Sequence, residues 1–277
     1  MGSVHNTVGG TKAPLADTHA HLDFTQFDED RDQVIERAAN QGVTRIVTVG
    51  FDIDSSREAV ALTDGNANVW ACVGTHPHQA SRVTPEGLGS LRDLSTHHKV
   101  VAIGEIGLDY YRDRSPRDVQ RQVFRQQLEL AAESGKPVVV HDRAAHRDVM
   151  RIVGGWAETV RASNNGLQPP LGVVHCFSGD QTMAEELFEL GFFVSVAGPV
   201  TFPNARGLQE LVGRLPLERL LVETDCPFLP PHPYRGKRNE PANVKLVAQK
   251  IAEIKQMSLQ KVSRVTTENA RRVFRLE

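Results

Sequence analysis

The chain has 277 residues, 40% of them hydrophobic and 24% charged, with a net charge of −2; it is long enough to bury a large core, and its charge excludes gripping polyanions by bulk electrostatics, so any nucleic-acid contact must come from a local basic patch. Three cysteines, Cys72, Cys176 and Cys226, exclude a complete disulfide framework, and each lies in an apolar run, as small buried hydrophobes do. No apolar stretch reaches the ~20 residues of a membrane span, and residues 1–13 are small and polar without a hydrophobic signal core, so the expectation is a cytoplasmic protein with no membrane contact, a flexible tail over 1–13 and one domain over 14–277.

The predicted elements alternate along the chain. A buried strand over Leu15–Leu22 carries His19 and His21. Residues i and i+2 of a strand share a face roughly 7 Å apart, so the two imidazoles can close on one ion. A helix over 28–41 follows, with Val34, Ile35, Ala38 and Ala39 clustered as an amphipathic helix requires and Gly42 as its stop. The second and third strands are Val43–Gly50 and Val69–His76. His76 ends the third, where it can meet a phosphate or a leaving group, and His78 lies just beyond.

The fourth strand, Val100–Asp109, contains Glu105, and a helix over 116–134 runs from it to Gly135. The fifth, Pro137–Asp142, carries His141, with Arg143 next to it as a bidentate phosphate clamp. A turn-rich connection, 163–171, leads to the sixth, Gly172–Phe177, with His175. Gly191 precedes the seventh, Phe192–Gly198, and the eighth, Arg219–Asp225, ends in Asp225. Glu223 shares a strand face with Asp225 and either binds substrate or holds a ligating histidine. The long loop 227–241 brings Tyr234, Arg235, Lys237 and Arg238, three cations and a ring able to stack on a base. A helix from Pro241, marked by Val244, Val247, Ile251 and Ile254, and a last basic helix at the C-terminus pack on the barrel.

Eight strand–helix units in one chain of this length predict an α/β fold, a (β/α)8 TIM barrel. Continuous apolar runs such as Val138–Val140 read as strands buried on both faces. A doubly wound open sheet is the alternative, but no Gly-x-Gly-x-x-Gly follows the first strand to support it. In a barrel the C-terminal strand ends share one rim. His19, His21, Glu105, His141, His175 and Asp225 would therefore converge, and burying that many imidazoles and carboxylates without a partner is costly. Two divalent ions supply the partner. His19, His21 and Asp225 would hold one, His141 and His175 the other, with Glu105 bridging. Zinc and manganese are preferred, while iron, magnesium and nickel are not distinguished from them. Glu105 and Asp225 are the expected catalytic residues, with Asp225 taking a proton from the attacking water. The substrate-binding set is His76, Arg143, Glu223, Tyr234, Arg235 and Lys237.

Five runs together carry a resemblance: Asp17-Thr-His-Ala-His-Leu-Asp23, Gly74-Thr-His-Pro-His78, Ala102-Ile-Gly-Glu-Ile-Gly-Leu-Asp-Tyr110, His175-Cys-Phe-Ser-Gly179 and Val222-Glu-Thr-Asp-Cys-Pro227. Their order and spacing resemble the TatD-related metal-dependent hydrolases of the amidohydrolase superfamily, from about residue 14 to the C-terminus. The resemblance implies a (β/α)8 barrel of the metallo-dependent hydrolase type, a dinuclear site on the same six residues and, for some members, DNase activity, including 3′ to 5′ exonuclease action on single strands. Some TatD nucleases lack the His-x-His pair; this chain keeps it, which places it nearer an uncharacterised branch. The expected activity is that of a phosphodiesterase acting on the end of a single DNA strand, with no obligatory protein partner. The alternatives are an ester or amide hydrolase, such as one removing a D-amino acid from a tRNA, and a non-catalytic scaffold, which the retention of all six ligands argues against.

Overall fold

A computed structural model of the chain describes residues 14–163 and 167–276. The expected tail over 1–13, and residues 164–166 of the 163–171 connection, lie outside the described residues. Strands and helices alternate as β1 (Leu15–Ala20), α1 (Arg31–Asn40), β2 (Val43–Val49), α2 (Ile53–Asp64), β3 (Val69–Val73), α3 (Pro85–Ser95), β4 (Val100–Asp109), α4 (Arg117–Ser134), β5 (Val138–Arg143), α5 (His146–Ala162), β6 (Gly172–Val174), α6 (Gln181–Leu190), β7 (Phe192–Val196), α7 (Arg206–Arg214), β8 (Leu220–Val222), α8 (Val244–Lys255) and α9 (Leu259–Phe274). Each strand pairs in parallel with the next, in the order β1 to β8. A parallel bridge between Ala20 and Cys226 brings β8 back to β1, so the sheet is a nearly closed barrel.

Local chemistry accounts for the helix ends. Asp52 and Ser55 form a reciprocal capping box at the start of α2, and Asp180 accepts from the Met183 N–H at the start of α6. Gly135 and Gly191 end α4 and α6 in the left-handed conformation, which glycine adopts without steric cost. Pro241 opens a 3-10 turn, 241–243, and the α-helix proper begins one residue later.

The buried side chains divide into two layers. One large cluster packs the outer strand faces against the helices. A second takes Ala16, Val47, Cys72, Ala102, Val139, Val173, Phe193 and Leu221, at least one from each strand with Val49 a second from β2, together with Ala270, Val273 and Phe274 of α9 and Leu276 beyond it. That second cluster is the barrel interior, and α9 plugs it from the end opposite the strand C-termini. Cys72 and Cys226 are buried, and all three cysteines are free thiols. Among the described residues no helix is long and apolar enough to cross a membrane.

Several strands stop short of the predicted ends. The ladder leaves β1 at Ala20, β3 at Val73, β6 at Val174 and β8 at Val222, before His21, His76, His175 and Asp225 respectively. These residues turn out of the ladder into the mouth. The backbone records it: Cys176, next to His175, and Asp225 both take positive φ, 44° and 56°. Left-handed backbone at residues other than glycine costs energy and clusters at functional sites.

Candidate metal centre

The site is assembled at two places in the barrel. The first is the seam between β8 and β1. The Asp225 N–H donates to the His19 carbonyl at 2.8 Å and the His21 N–H to the Cys226 carbonyl at 2.8 Å. Thr224 donates to Asp17 through both its backbone N–H and its hydroxyl, and Thr18 donates to the Val222 carbonyl. The seam fixes the backbones of three predicted ligands against one another. As a result His19, His21 and Asp225 each bring a ligand atom within 4.8 Å of the others.

The second place is the β4–β5 pair. Register runs Ile103 to Val138 and then Ile106 to Val140, so β4 spends one extra residue around Gly104 and Glu105. Such a bulge re-aims a side chain, and Glu105 points into the mouth while remaining buried. Two residues on, Gly107 lies so close to β5 that a Cβ there would fall 2.0 Å from the His141 carbonyl oxygen, at a φ of +142°. Only glycine fits that approach, and it brings His141 beside Glu105.

Glu105 faces two sets of partners. Its Oε2 lies 3.5 Å from His19 Nε2 and 3.9 Å from His21 Nε2. Its Oε1 lies 2.6 Å from His141 Nδ1 and 2.7 Å from His175 Nε2. Asp225 Oδ1 completes the first set, 3.5 Å from His21 Nε2 and 3.7 Å from His19 Nε2. All six residues singled out from the sequence as ligands are thus brought together.

The protonation chemistry fits a cation. His21 Nδ1 lies 2.7 Å from the Val49 carbonyl, an acceptor only, so the neutral ring carries its proton there and its Nε2 offers a lone pair inward. That lone pair meets His19 Nε2 at 3.3 Å and two carboxylate oxygens. Without a cation, protons fill the role. Burial pulls the His21 imidazole down, but the Asp225 hydrogen bond and the charges of Asp225 and Glu105 carry it up to about 9. Burial likewise opposes charge on His175, yet Glu105 holds its pKa well above the usual imidazole range. Glu105 stays well below the carboxylate range despite burial, through the charge of His175 and the bond to His141. A divalent ion held by these donors would displace such protons.

Two carboxylates behind the ring hold the histidines. Asp109 Oδ2 lies 3.3 Å from His141 Nε2 and 2.8 Å from His78 Nε2, while Oδ1 accepts the N–H groups of Tyr111 and Arg112. Burial raises its pKa, but the bonds to His141 and His78 outweigh it and keep Asp109 ionised. Glu223 accepts the Cys176 N–H at 2.7 Å and the Ser195 hydroxyl, and its Oε1 lies 3.5 Å from His175 Nδ1. Glu223 is fully buried, beside His175, with both its oxygens engaged inside the barrel. Asp109 was not recognised from the sequence. Its one signal was its place at the end of β4, four residues after Glu105.

His76 also reaches the cluster, with Nε2 3.5 Å from Glu105 Oε1. Its Nδ1 accepts the His78 N–H, so the neutral ring is protonated at Nε2. Burial keeps it neutral by holding its pKa well below the usual range. His76 in this tautomer presents a hydrogen-bond donor at the mouth, and a ligand atom of its ring also lies within 4.8 Å of those of Glu105 and His141. Arg143 is exposed on the rim, its guanidinium 4.3 Å from the centre of the Tyr111 ring.

The loop after β8 differs from expectation in part. Arg238 is committed: it forks onto Asp30 at 2.8 and 2.7 Å and also donates to the Gln26 carbonyl. Arg235 lies over the Phe202 ring and Lys237 over Tyr234. Tyr234 lines a groove between α1 and α8 with Arg37, Glu240 and Lys245. No hydrogen bond, ion pair or ring contact joins Tyr234, Arg235 or Lys237 to the six ligands among the described residues.

A (β/α)8 barrel whose C-terminal mouth gathers four imidazoles and two carboxylates defines a metal-dependent hydrolase. Residues 16–275 match the family described as TatD related DNase. The chain is 47% identical to the uncharacterized metal-dependent hydrolase YabD of Bacillus subtilis, over 95% of this chain and 99% of that one. It is 38% identical to the 3′-5′ ssDNA/RNA exonuclease TatD of Musicola paradisiaca, over 95% and 98%. The crystal structure of YJJV, a TatD homolog from Escherichia coli K12, superposes with a TM-score of 0.87 at 28% identity, covering 96% of this chain and 99% of that one. The chain belongs to the TatD family of metal-dependent hydrolases.

Proposed function

We propose that the protein is a dinuclear phosphodiesterase that removes nucleotides from the end of a single-stranded nucleic acid. One observation carries the dinuclear reading: the two oxygens of Glu105 face separate ligand sets, Oε2 toward His19 and His21, Oε1 toward His141 and His175. His19, His21 and Asp225 would hold one ion and His141 and His175 the other, with Glu105 shared; four imidazoles suit zinc or manganese. Ions bound there supply Lewis acidity and lower the pKa of water toward neutrality.

The chain's own groups do the rest. Asp225 is the more open of the two carboxylates, its side chain 15% exposed against 4% for Glu105, and with Oδ1 turned to the histidines its other oxygen can accept the proton of the attacking water. His76 donates its Nε2–H to a phosphoryl oxygen or to the leaving group. Arg143 clamps phosphate from the rim, and Arg235 and Lys237, with the Tyr234 ring, extend the path of the strand. A strand end needs few such cations, in keeping with a net charge of −2. The name of the Musicola relative, an exonuclease on single-stranded DNA and RNA, supports the same substrate class.

The test is turnover of labelled single-stranded and duplex DNA with added magnesium, manganese or zinc, with Asp225→Asn as control and an aminoacyl ester alongside. Release of single nucleotides from the single strand, lost in Asp225→Asn, is expected. Hydrolysis of the ester alone would replace this reading with the ester hydrolase.

A further inference from the structure

The mouth has an apolar side that the metal chemistry does not use. Among the described residues three large hydrophobic side chains are exposed, Tyr111 at 64%, Phe228 at 46% and Tyr234 at 41%, and all three sit on loops that follow β4 or β8. Phe228 adjoins the ligands: its ring centre is 6.2 Å from that of His21 and 5.7 Å from that of Phe24, both edge to face. Phe24 in turn meets His21 at 4.9 Å and Phe51 at 6.3 Å, and Phe51 stacks on His76 at 4.5 Å. The loops after β1, β2 and β8 thus build a continuous wall of phenyl rings against one metal ligand and the donor His76.

The wall is rigid. The Phe228 N–H donates to the Asp225 carbonyl, and the Phe228 carbonyl accepts from the buried amide of Asn239, which also holds the Thr224 carbonyl. The Phe51 carbonyl accepts the His76 N–H. A phenyl ring held in water beside a cluster of charged ligands gains nothing from solvent. It is placed for a ligand that joins an anionic group to a flat apolar one. On the rim, Arg143 over Tyr111 supplies a cation for the anionic part.

We propose that Phe228, backed by Phe24 and Phe51, is a stacking wall that receives the terminal nucleobase of the strand whose phosphodiester lies at the metal centre. The proposal rests on the phosphodiesterase reading for the bond cut, but the stack itself is read independently of cleavage. Stacking on an aromatic side chain tolerates every base, because each has a π-face.

The experiment uses a short single strand with 2-aminopurine at its 3′ end, protected by a phosphorothioate linkage, and the metal-loaded full chain. Stacking quenches the fluorophore. The wild type is expected to quench it on binding; Phe228→Ala loses the quench and binds about tenfold more weakly, and Phe228→Trp restores both. In parallel, the ratio of kcat/KM for an ordinary 3′ end over an abasic one falls about tenfold in Phe228→Ala, chiefly through KM. Binding without quenching, quenching undiminished in Phe228→Ala, or no binding at all overturns the wall. Quenching that depends on Phe228, with no phosphodiester cleaved, supports the wall and overturns the phosphodiesterase reading alone.

Discussion

Asp109 and His141 face each other across the β4–β5 pair, with the carboxylate Oδ2 3.3 Å from the ring Nε2 and the opposite ring nitrogen 2.6 Å from Glu105. The carboxylate therefore decides which nitrogen of His141 is free to bind an ion. Asp109→Asn keeps the volume but removes the charge. The variant is expected to lose about 10- to 100-fold in affinity at the His141 ion while the fold persists. Metal titration followed by calorimetry, with circular dichroism as the control, checks it; unchanged affinity would mean that Asp109 does not set the ring.

Glu105 has the larger burden, since each of its oxygens serves one ligand set. Glu105→Ala is expected to hold at most one ion per chain and to lose turnover. Plasma emission measurement of metal content decides this, and two ions per variant chain would sink the bridging role.

Gly107→Ala tests the close approach of β4 to β5. A Cβ 2.0 Å from a carbonyl oxygen cannot be accommodated without moving one strand. The expected cost is about 2 kcal/mol or more, read from urea unfolding, with metal affinity falling alongside because His141 sits on the strand that must move.

The chain order of the barrel was legible because its cause is local. Apolar runs of strand length, helical patterning between them and glycine at helix ends are all written in neighbouring residues, and Gly135 and Gly191 end helices as expected. The gathering of His19, His21, Glu105, His141, His175 and Asp225 at one mouth followed from topology alone, since parallel strands in a barrel share a rim. What escaped depends on partners distant in sequence or on backbone detail. The bulge at Glu105 is visible only in the register with β5. Asp109 and Glu223 are strand carboxylates like many others until His141 and His175 are seen against them. Arg238 read as a free cation because Asp30, its partner, is 208 positions away.

That pairing has a pH signature. Hydrogen bonds from Arg238 and Arg37 hold Asp30 down to about 2, against roughly 3.9 in an unfolded chain. As pH falls the unfolded chain takes the proton first, so the pair's contribution is complete above about 4 and lost as pH approaches about 2. The stability difference between wild type and Arg238→Ala is expected to be below about 1 kcal/mol at pH 6 and to vanish toward pH 2. Urea midpoints across that range measure it, and a difference independent of pH would refute the assignment.

The same pairing separates two neighbouring cations in nucleic-acid binding. Lys237→Gln is expected to lower the slope of log K against log salt by about one for a single strand. Arg238→Gln should change it much less, because its charge is already neutralised by Asp30. Equal slopes for both variants and the wild type would remove this loop from the binding surface.

The hydrogen bond from the Asp225 N–H to the His19 carbonyl joins an early segment of the polypeptide to a late one. At about 5–20 residues per second, a ribosome makes His19 and His21 on the order of 10–40 s before Asp225 exists. Through that interval the nascent paired imidazoles lack the carboxylate that completes their cage. An ion held by His19, His21 and Asp225, as proposed, would therefore find its full ligand set only once the eighth strand has been made, whereas Glu105, His141 and His175 are all present some fifty residues earlier.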